Sequence, residues 1–244
     1  VLIYLTLAAT ILATSALSGV LGMGGGMILM GVMAALLPIG TAMVLHGLTG
    51  VSANGYRAWL LRRHIAWKIL GLYAVSAVAT TALLWQWRFV PSPMTVYLIL
   101  GGLPLVVMAL PRRLAFDATR PWHAVLSGIL VTVVQCTAGV AGPLLDVFFV
   151  HAPLDRRAIV ATKAMTQTLS HALKTVYFGG MVAVADDTAW VYAVAVGLSL
   201  VGTAIGRRYL ESMDDAKFRL WSRRLILTIC AVYIGKAAYA FAAI

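Results

Sequence analysis

The stretch Gly19–Gly26, G-V-L-G-M-G-G-G, marks the place where one apolar run, Leu2–Leu21, gives way to another, Met27–Leu37. Glycine reaches backbone angles closed to other residues and lets a second backbone or a ligand come near. Three consecutive glycines inside an apolar region are expected to break a helix. In hydrocarbon such a break leaves peptide N–H and C=O groups unpaired. It is tolerated only where protein covers it or a water-filled cavity faces it. The stretch therefore reads as the wall of a cavity inside a membrane. The competing reading is a glycine-rich face for helix packing.

The rest of the chain supports a membrane. Hydrophobic residues make up 61% of the 244, charged residues only 11%, and the mean hydropathy is +0.92. Ten apolar segments follow one another. Eight are long enough, or nearly so, to cross: Leu2–Leu21, Thr41–Leu61, Ala66–Trp87, Met94–Leu110, Trp122–Gln135, Ala158–Phe178, Thr188–Ile205 and Arg224–Ala243. Two, Met27–Leu37 and Gly142–Val150, fall well short of the ~20 residues a span needs and read as half-helices. The first run has no basic n-region and no cleavage site, so it reads as a span rather than a signal peptide. Cys136 and Cys230 lie in apolar segments and form neither a disulfide framework nor a metal pattern.

The formal charge of +11 would fit nucleic acid if it were clustered, but it falls in short loops. One alternate set of loops holds Arg62, Arg63, Lys68, Arg112, Arg113, Arg120, Arg156, Arg157, Arg207, Arg208, Lys217, Arg219, Arg223 and Arg224, which is 14 of the 19 basic residues. The other set holds Arg88 with Asp186 and Asp187. The first set is cytoplasmic by the positive-inside rule, which puts both termini outside if each short segment counts as one pass. All seven tryptophans fall near expected span ends, where amphipathic rings settle.

The chain also repeats itself. Gly26, Pro38 and Ala42 in the first half match Gly142, Pro153 and Ala158 in the second, at offsets of 116, 115 and 116 residues. Residues 1–121 and 122–244 then form two copies of about five segments each. An odd number of segments turns the second copy upside down, as the loop charges also require. The fold expected is an all-α integral membrane protein made of two inverted repeats, with eight long helices and two half-helices. In transporters of that design the binding site lies near the midplane.

Two long helices carry the polar residues. After Pro38 come His46, Thr49, Asn54 and Arg57; after Pro153 come Lys163, Thr166, Gln167, Ser170, His171 and Lys174. The 3–4 spacing gathers most of each set on one face. Competing readings stand beside each. Arg57 and Lys174 either snorkel to the surface or face the cavity. The hydroxyls of Thr49, Thr166 and Ser170 either bond back to their own helix or bind a substrate. His46 and His171 are either packed or ligating. Lys163 either faces the cavity or pairs with Asp146. Cys136, beside Gln135 at the second break, is either a small apolar filler or a contact. Together the set is basic and neutral with almost no acid. Half-helix N-termini at Gly24, Gly25, Gly26 and Gly142 add N–H donors and partial positive charge. Such a site favours a small anion.

The motifs L-G-M-G-G-G-M-I-L-M, L-P-I-G-T-A-M-V and R-R-H-I-A-W-K, with G-P-L-L-D-V-F-F and A-P-L-D-R-R-A-I-V-A-T-K-A in the second half, resemble the TauE/SafE sulfite-exporter family, also called the four-toluene-sulfonate uptake permeases. The resemblance covers nearly the whole chain. It implies a multi-pass permease of the cell membrane, in a bacterium the inner membrane. Its cargo would be sulfur-containing or organic anions such as sulfite, sulfoacetate, sulfonates or thiosulfate. The partners expected are a small anionic substrate and membrane lipid. A homodimer is compatible; nucleic acid, a cofactor and a metal are not expected. Two rivals stand beside the carrier. A channel needs a continuous pore. An enzyme needs a nucleophile with a base or a metal set, and no H-E-x-x-H or paired acids occur in the spans.

Overall fold

The computed structural model describes residues 2–21, 24–111, 116–182, 189–210 and 215–242. Every regular element among them is helical: α1 (Leu2–Leu21), α2 (Gly24–Leu36), α3 (Ile39–Leu60), α4 (Trp67–Trp87), α5 (Pro93–Ala109), α6 (Pro121–Ala138), α7 (Gly142–Phe149), α8 (Arg156–Gly179), α9 (Ala189–Leu210) and α10 (Asp215–Ala242), with one 3-10 turn at Arg62–His64. Gly22 and Met23 of the opening stretch, Arg112 and Arg113, and Asp186–Thr188 lie outside the described residues.

Local signals set the helix ends. Ser92 caps α5 by accepting from the Thr95 N–H at 3.1 Å, and Pro93 follows in the first turn, where a missing N–H costs nothing. The Asp155 carboxylate caps α8, accepting from Arg157 N at 2.8 Å and Ala158 N at 3.0 Å. The Ala158 N–H chiefly, with the Arg157 N–H and nearby cations, holds that carboxyl below its usual range. At the end of α6, Gly139 takes φ +78°, a left-handed conformation that suits glycine.

The three glycines do not break a helix from within. α1 ends at Leu21, and Gly24–Gly26 form the first turn of α2. They also serve close packing: a Cβ on Gly25 would stand 2.0 Å from the Thr14 carbonyl oxygen of α1. The two readings of the stretch are therefore complementary.

Among the described residues, five helices meet both the length and the apolarity needed to cross: within α1, α4, α6, α9 and α10. α3 and α8 have the length, at 22 and 24 residues, but carry polar stripes. Their placement explains this. They pack on each other along the middle of the bundle, while α1 lies on α9, α4 on α6 and α5 on α10. A helix sheltered by protein on most sides has no need to be apolar throughout. α2 is wedged among α1, α3, α5 and α10; α7 sits among α5, α6 and α8.

Polarity runs from the inside out. Leu2, Leu5, Val75, Leu83, Val201 and Phe241 are exposed, whereas His46, Gln135, Ser170, His171 and Lys174 are buried. An exposed apolar mantle around a polar centre suits lipid and not water. Trp67, Trp122 and Trp190 open α4, α6 and α9, and all three are exposed.

Candidate functional site

A cavity of about 60 Å³ lies where the starts of α2 and α7 meet the middle of the bundle. A water needs about 10–15 Å³ measured this way, so the space takes an ion of a few non-hydrogen atoms. Gly25, Gly26 and Leu29 of α2 form one wall. Val140 and Gly142, at the start of α7, form the opposite part. α3 supplies His46, Thr49, Gly50, Ala53, Asn54 and Arg57. α8 supplies Gln167 and His171, and α1 supplies Thr14, Ser15 and Ser18.

Hydrogen bonds fix the orientation of these groups. His46 Nε2 lies 3.0 Å from the Gly26 carbonyl oxygen, and a carbonyl only accepts. Nε2 therefore carries hydrogen. Nδ1 of the neutral ring then accepts from Lys174 Nζ, at 2.9 Å. Lys174 Nζ also donates to the Gly139 carbonyl oxygen at 2.9 Å. Gly26 begins the first half-helix and Gly139 ends α6 just ahead of the second. One strap, Gly26–His46–Lys174–Gly139, thus ties the two interruptions together.

The second histidine is held from the other side. Gln135 Nε2 donates to His171 Nδ1 at 3.0 Å, which places the ring hydrogen on Nε2. The two imidazoles stand 5.3 Å apart between centroids. A Cβ on Gly50 would lie 2.4 Å from His171 Nδ1, so the ring fits against α3 only because position 50 is glycine. Arg57 Nη2 donates to the Ser18 carbonyl oxygen at 3.2 Å, which leaves other guanidinium N–H groups free to serve an anion. Asn54 Nδ2 donates back to Gly50 O at 3.0 Å, and Thr49 Oγ1 to His46 O at 2.9 Å.

The sequence candidates thus divide. Gly25, Gly26, His46, Thr49, Asn54, Arg57, Gly142, Gln167 and His171 share the cavity lining. Gln135 and Lys174 stand one hydrogen bond behind it. Lys174 is fully buried and does not snorkel. Gly24 faces α10, where an added Cβ would stand 2.5 Å from Leu225 Cδ2. Cys136 is buried in the apolar cluster around Met30 and Met43. Lys163 is not in the lining; its ammonium pairs with Asp146. Thr166 Oγ1 donates to Lys163 O at 2.9 Å, and Ser170 Oγ to Thr166 O at 2.9 Å while accepting from the Tyr73 hydroxyl. Those two hydroxyls are spent within α8 and on α4.

Sequence reasoning missed Thr14, Ser15 and Ser18. Small polar residues spaced i, i+1, i+4 in an otherwise apolar run share a face, and that was the available signal. Among the described residues no three His, Cys, Asp or Glu side chains gather where a metal ion would be held.

Crossing-length apolar helices and a polar centre make this a multi-pass integral membrane protein. Residues 7–234 match the Sulfite exporter TauE/SafE family, and the chain belongs to that family. A membrane exporter of sulfite or a related anion is what membership implies. No curated protein and no solved structure gave a significant match.

Proposed function

We propose that the chain is a secondary carrier that moves a small sulfur-containing or organic anion by alternating access around the cavity between α2, α3, α7 and α8. Sulfite, thiosulfate, sulfoacetate and simple sulfonates are the candidate cargoes. The observation that carries the reading is the lining itself. Arg57, two imidazoles, two amides and two glycine-led half-helix starts converge there, and among the described residues no carboxylate lines the space. N–H donors at a helix start bind oxyanions without a fixed charge. A volume of about 60 Å³ favours the smallest of these anions, such as sulfite.

The helix pairings support two inverted repeats, residues 1–121 and 122–244. An offset near 116 residues relates α1 to α6, α2 to α7, α3 to α8, α4 to α9 and α5 to α10. Several packing pairs follow that exchange: α1 on α9 has its counterpart in α6 on α4, α3 on α9 in α8 on α4, and α5 on α7 in α10 on α2, whereas α5 on α6 and α6 on α8 have no comparable counterpart among the described residues. α3 with α8, and α5 with α10, are each packed on their own counterpart, as helices beside a two-fold axis are. Rocking one repeat against the other would expose the shared cavity to each side in turn. With the basic loops inside, anion export runs downhill in the membrane potential, by about 2.3 kcal/mol per charge per 100 mV. In a bacterium the host membrane would be the inner one.

The test is flux in proteoliposomes with labelled sulfite, thiosulfate, sulfoacetate and acetate. A carrier gives saturable uptake and counterflow of at least one anion, weakened by Arg57→Ala. Single-channel currents, or no flux above empty liposomes, would overturn the reading.

A further inference from the structure

The strap Gly26–His46–Lys174–Gly139 has a property that an anion site alone does not need. Lys174 Nζ is fully buried and has two acceptors among the described residues, His46 Nδ1 and Gly139 O, each at 2.9 Å. A neutral amine has two N–H groups and an ammonium has three. Both acceptors are therefore satisfied in either charge state, and gain or loss of a proton breaks no hydrogen bond in the strap. His46 cannot take over the charge independently. Its Nε2 hydrogen is committed to Gly26 O, so a second ring hydrogen on Nδ1 would need the lone pair of a neutral lysine. The pair holds one extra proton at most.

The surroundings supply no counter-charge. From α3, His46 and Arg57 face the centre; from α6, the Cys136 thiol; from α4, Tyr73, whose hydroxyl donates to Ser170. From α8 itself come His171 and Tyr177, the latter donating to Phe89 O at 3.0 Å. Asp146 of α7 is engaged by Lys163. The 3-10 turn brings Arg62, Arg63 and His64, all basic. Among the described residues Lys174 has no carboxylate partner. A buried ammonium without a counter-ion is disfavoured, and the missing negative charge is what an anion beside His46 provides.

We propose that Lys174 is a proton-binding site of the carrier: its neutral amine takes one proton from solution when an anion enters the cavity and returns it when the anion leaves. This rests on the anion-carrier reading and adds the proton as a second cargo. The step forms one N–H bond on the Nζ lone pair and needs no other reactant. One proton then accompanies each anion: a dianion crosses with one net negative charge, which the membrane potential still drives outward, whereas a monoanion crosses without net charge and without that drive.

The test counts protons per anion bound. Purified protein is titrated calorimetrically with thiosulfate and with methanesulfonate, neither of which takes up a proton near neutrality. The titrations are run at mildly alkaline pH in buffers of differing ionisation heat. The wild type is expected to take up about one proton per anion. Lys174→Gln, which cannot be protonated, and Lys174→Arg, which stays charged, should both bring the count near zero, while Lys163→Gln, outside the lining and paired with Asp146, leaves it near one. The count is a ratio, so it survives a change in affinity. Anion binding with no proton uptake by the wild type overturns this inference alone, as does a count near one in a folded Lys174 variant. If neither anion binds the wild type, the carrier reading and this inference fall together.

Discussion

Gly25 and Gly26 are neighbours in the same turn and should fail in opposite ways. A methyl on Gly25 would stand 2.0 Å from Thr14 O, 2.3 Å from Ser18 Oγ and 2.9 Å from Ser18 N. Ordinary contact begins at 3.4 Å, so α1 and α2 must separate by about 1.4 Å where their backbones touch. Overpacking of that kind costs about 1–3 kcal/mol. On Gly26 the only atom of another element within 4 Å of an added Cβ, among the described residues, is His46 Nε2, at 3.8 Å. That methyl meets no backbone of a neighbouring described element, and alanine is the better helix former by about 0.5–1 kcal/mol. It does project beside His46 into a cavity of about 60 Å³, where one methyl fills much of the space. Gly26→Ala should therefore melt at or above the wild-type temperature and yet lose most of its anion flux. Gly25→Ala should melt lower. The assay is a thermal melt of detergent-solubilised protein followed by flux in proteoliposomes for each variant. Full flux through Gly26→Ala would refute the placement of substrate at this wall. Equal stability of the two variants would refute the packing of α1 on α2.

Three further outcomes are expected. Arg57→Ala removes charge-assisted hydrogen bonds worth about 1.5–3 kcal/mol, so the half-saturating anion concentration should rise by about ten-fold or more; an unchanged value removes Arg57 from the site. The Lys163–Asp146 pair is about a quarter exposed, at 26% and 23%, between the surface and buried limits, so a double-mutant cycle with Lys163→Gln and Asp146→Asn should give a coupling of about 1–2 kcal/mol. Gly206→Ala, whose Cβ would lie 2.0 Å from Ala16 O, and Gly128→Ala, 2.0 Å from Ser76 Oγ, should both lower the melting temperature. These positions sit in the α1–α9 and α6–α4 contacts that the proposed repeat exchanges; backbone lies 2.0 Å away at Gly206 (Ala16 O) and 2.6 Å away at Gly128 (Tyr73 O), so the larger loss is expected at Gly206.

Much of the fold was legible because hydropathy and length dominate in lipid. The ten apolar segments correspond to the ten helices, with ends displaced by a few residues. The largest displacement is at α10, which starts at Asp215, not Arg224, because a helix can continue beyond hydrocarbon into polar sequence. The polar stripes of α3 and α8 pointed to the middle of the bundle, and the 3–4 spacing picked out the α3 side of the lining; on α8 only Gln167 of that face reaches it, with Lys163, Thr166, Ser170 and Lys174 outside. Three-dimensional partnership was not legible. Nothing in the spacing says that Lys174 meets His46 and Gly139, 128 and 35 residues away, or that Ser170 receives the Tyr73 hydroxyl. Lys163 and Lys174 look alike in sequence; only the approach of α7, bringing Asp146, separates an ion pair from a buried amine with no carboxylate partner among the described residues. The hydroxyls of α1 escaped notice because Ser and Thr in a membrane helix ordinarily bond to their own backbone, as Thr14 does to Thr10 O at 2.6 Å.

Where a bound anion sits can be seen directly. Selenite, the heavier analogue of sulfite, scatters anomalously, and crystals of the protein soaked with it give its position without reference to any flux assay. A single strong peak beside Gly26, His46, Asn54, Arg57 and Gly142 is expected. A peak elsewhere in the bundle with that cavity empty would contradict a shared anion site between the two half-helix starts.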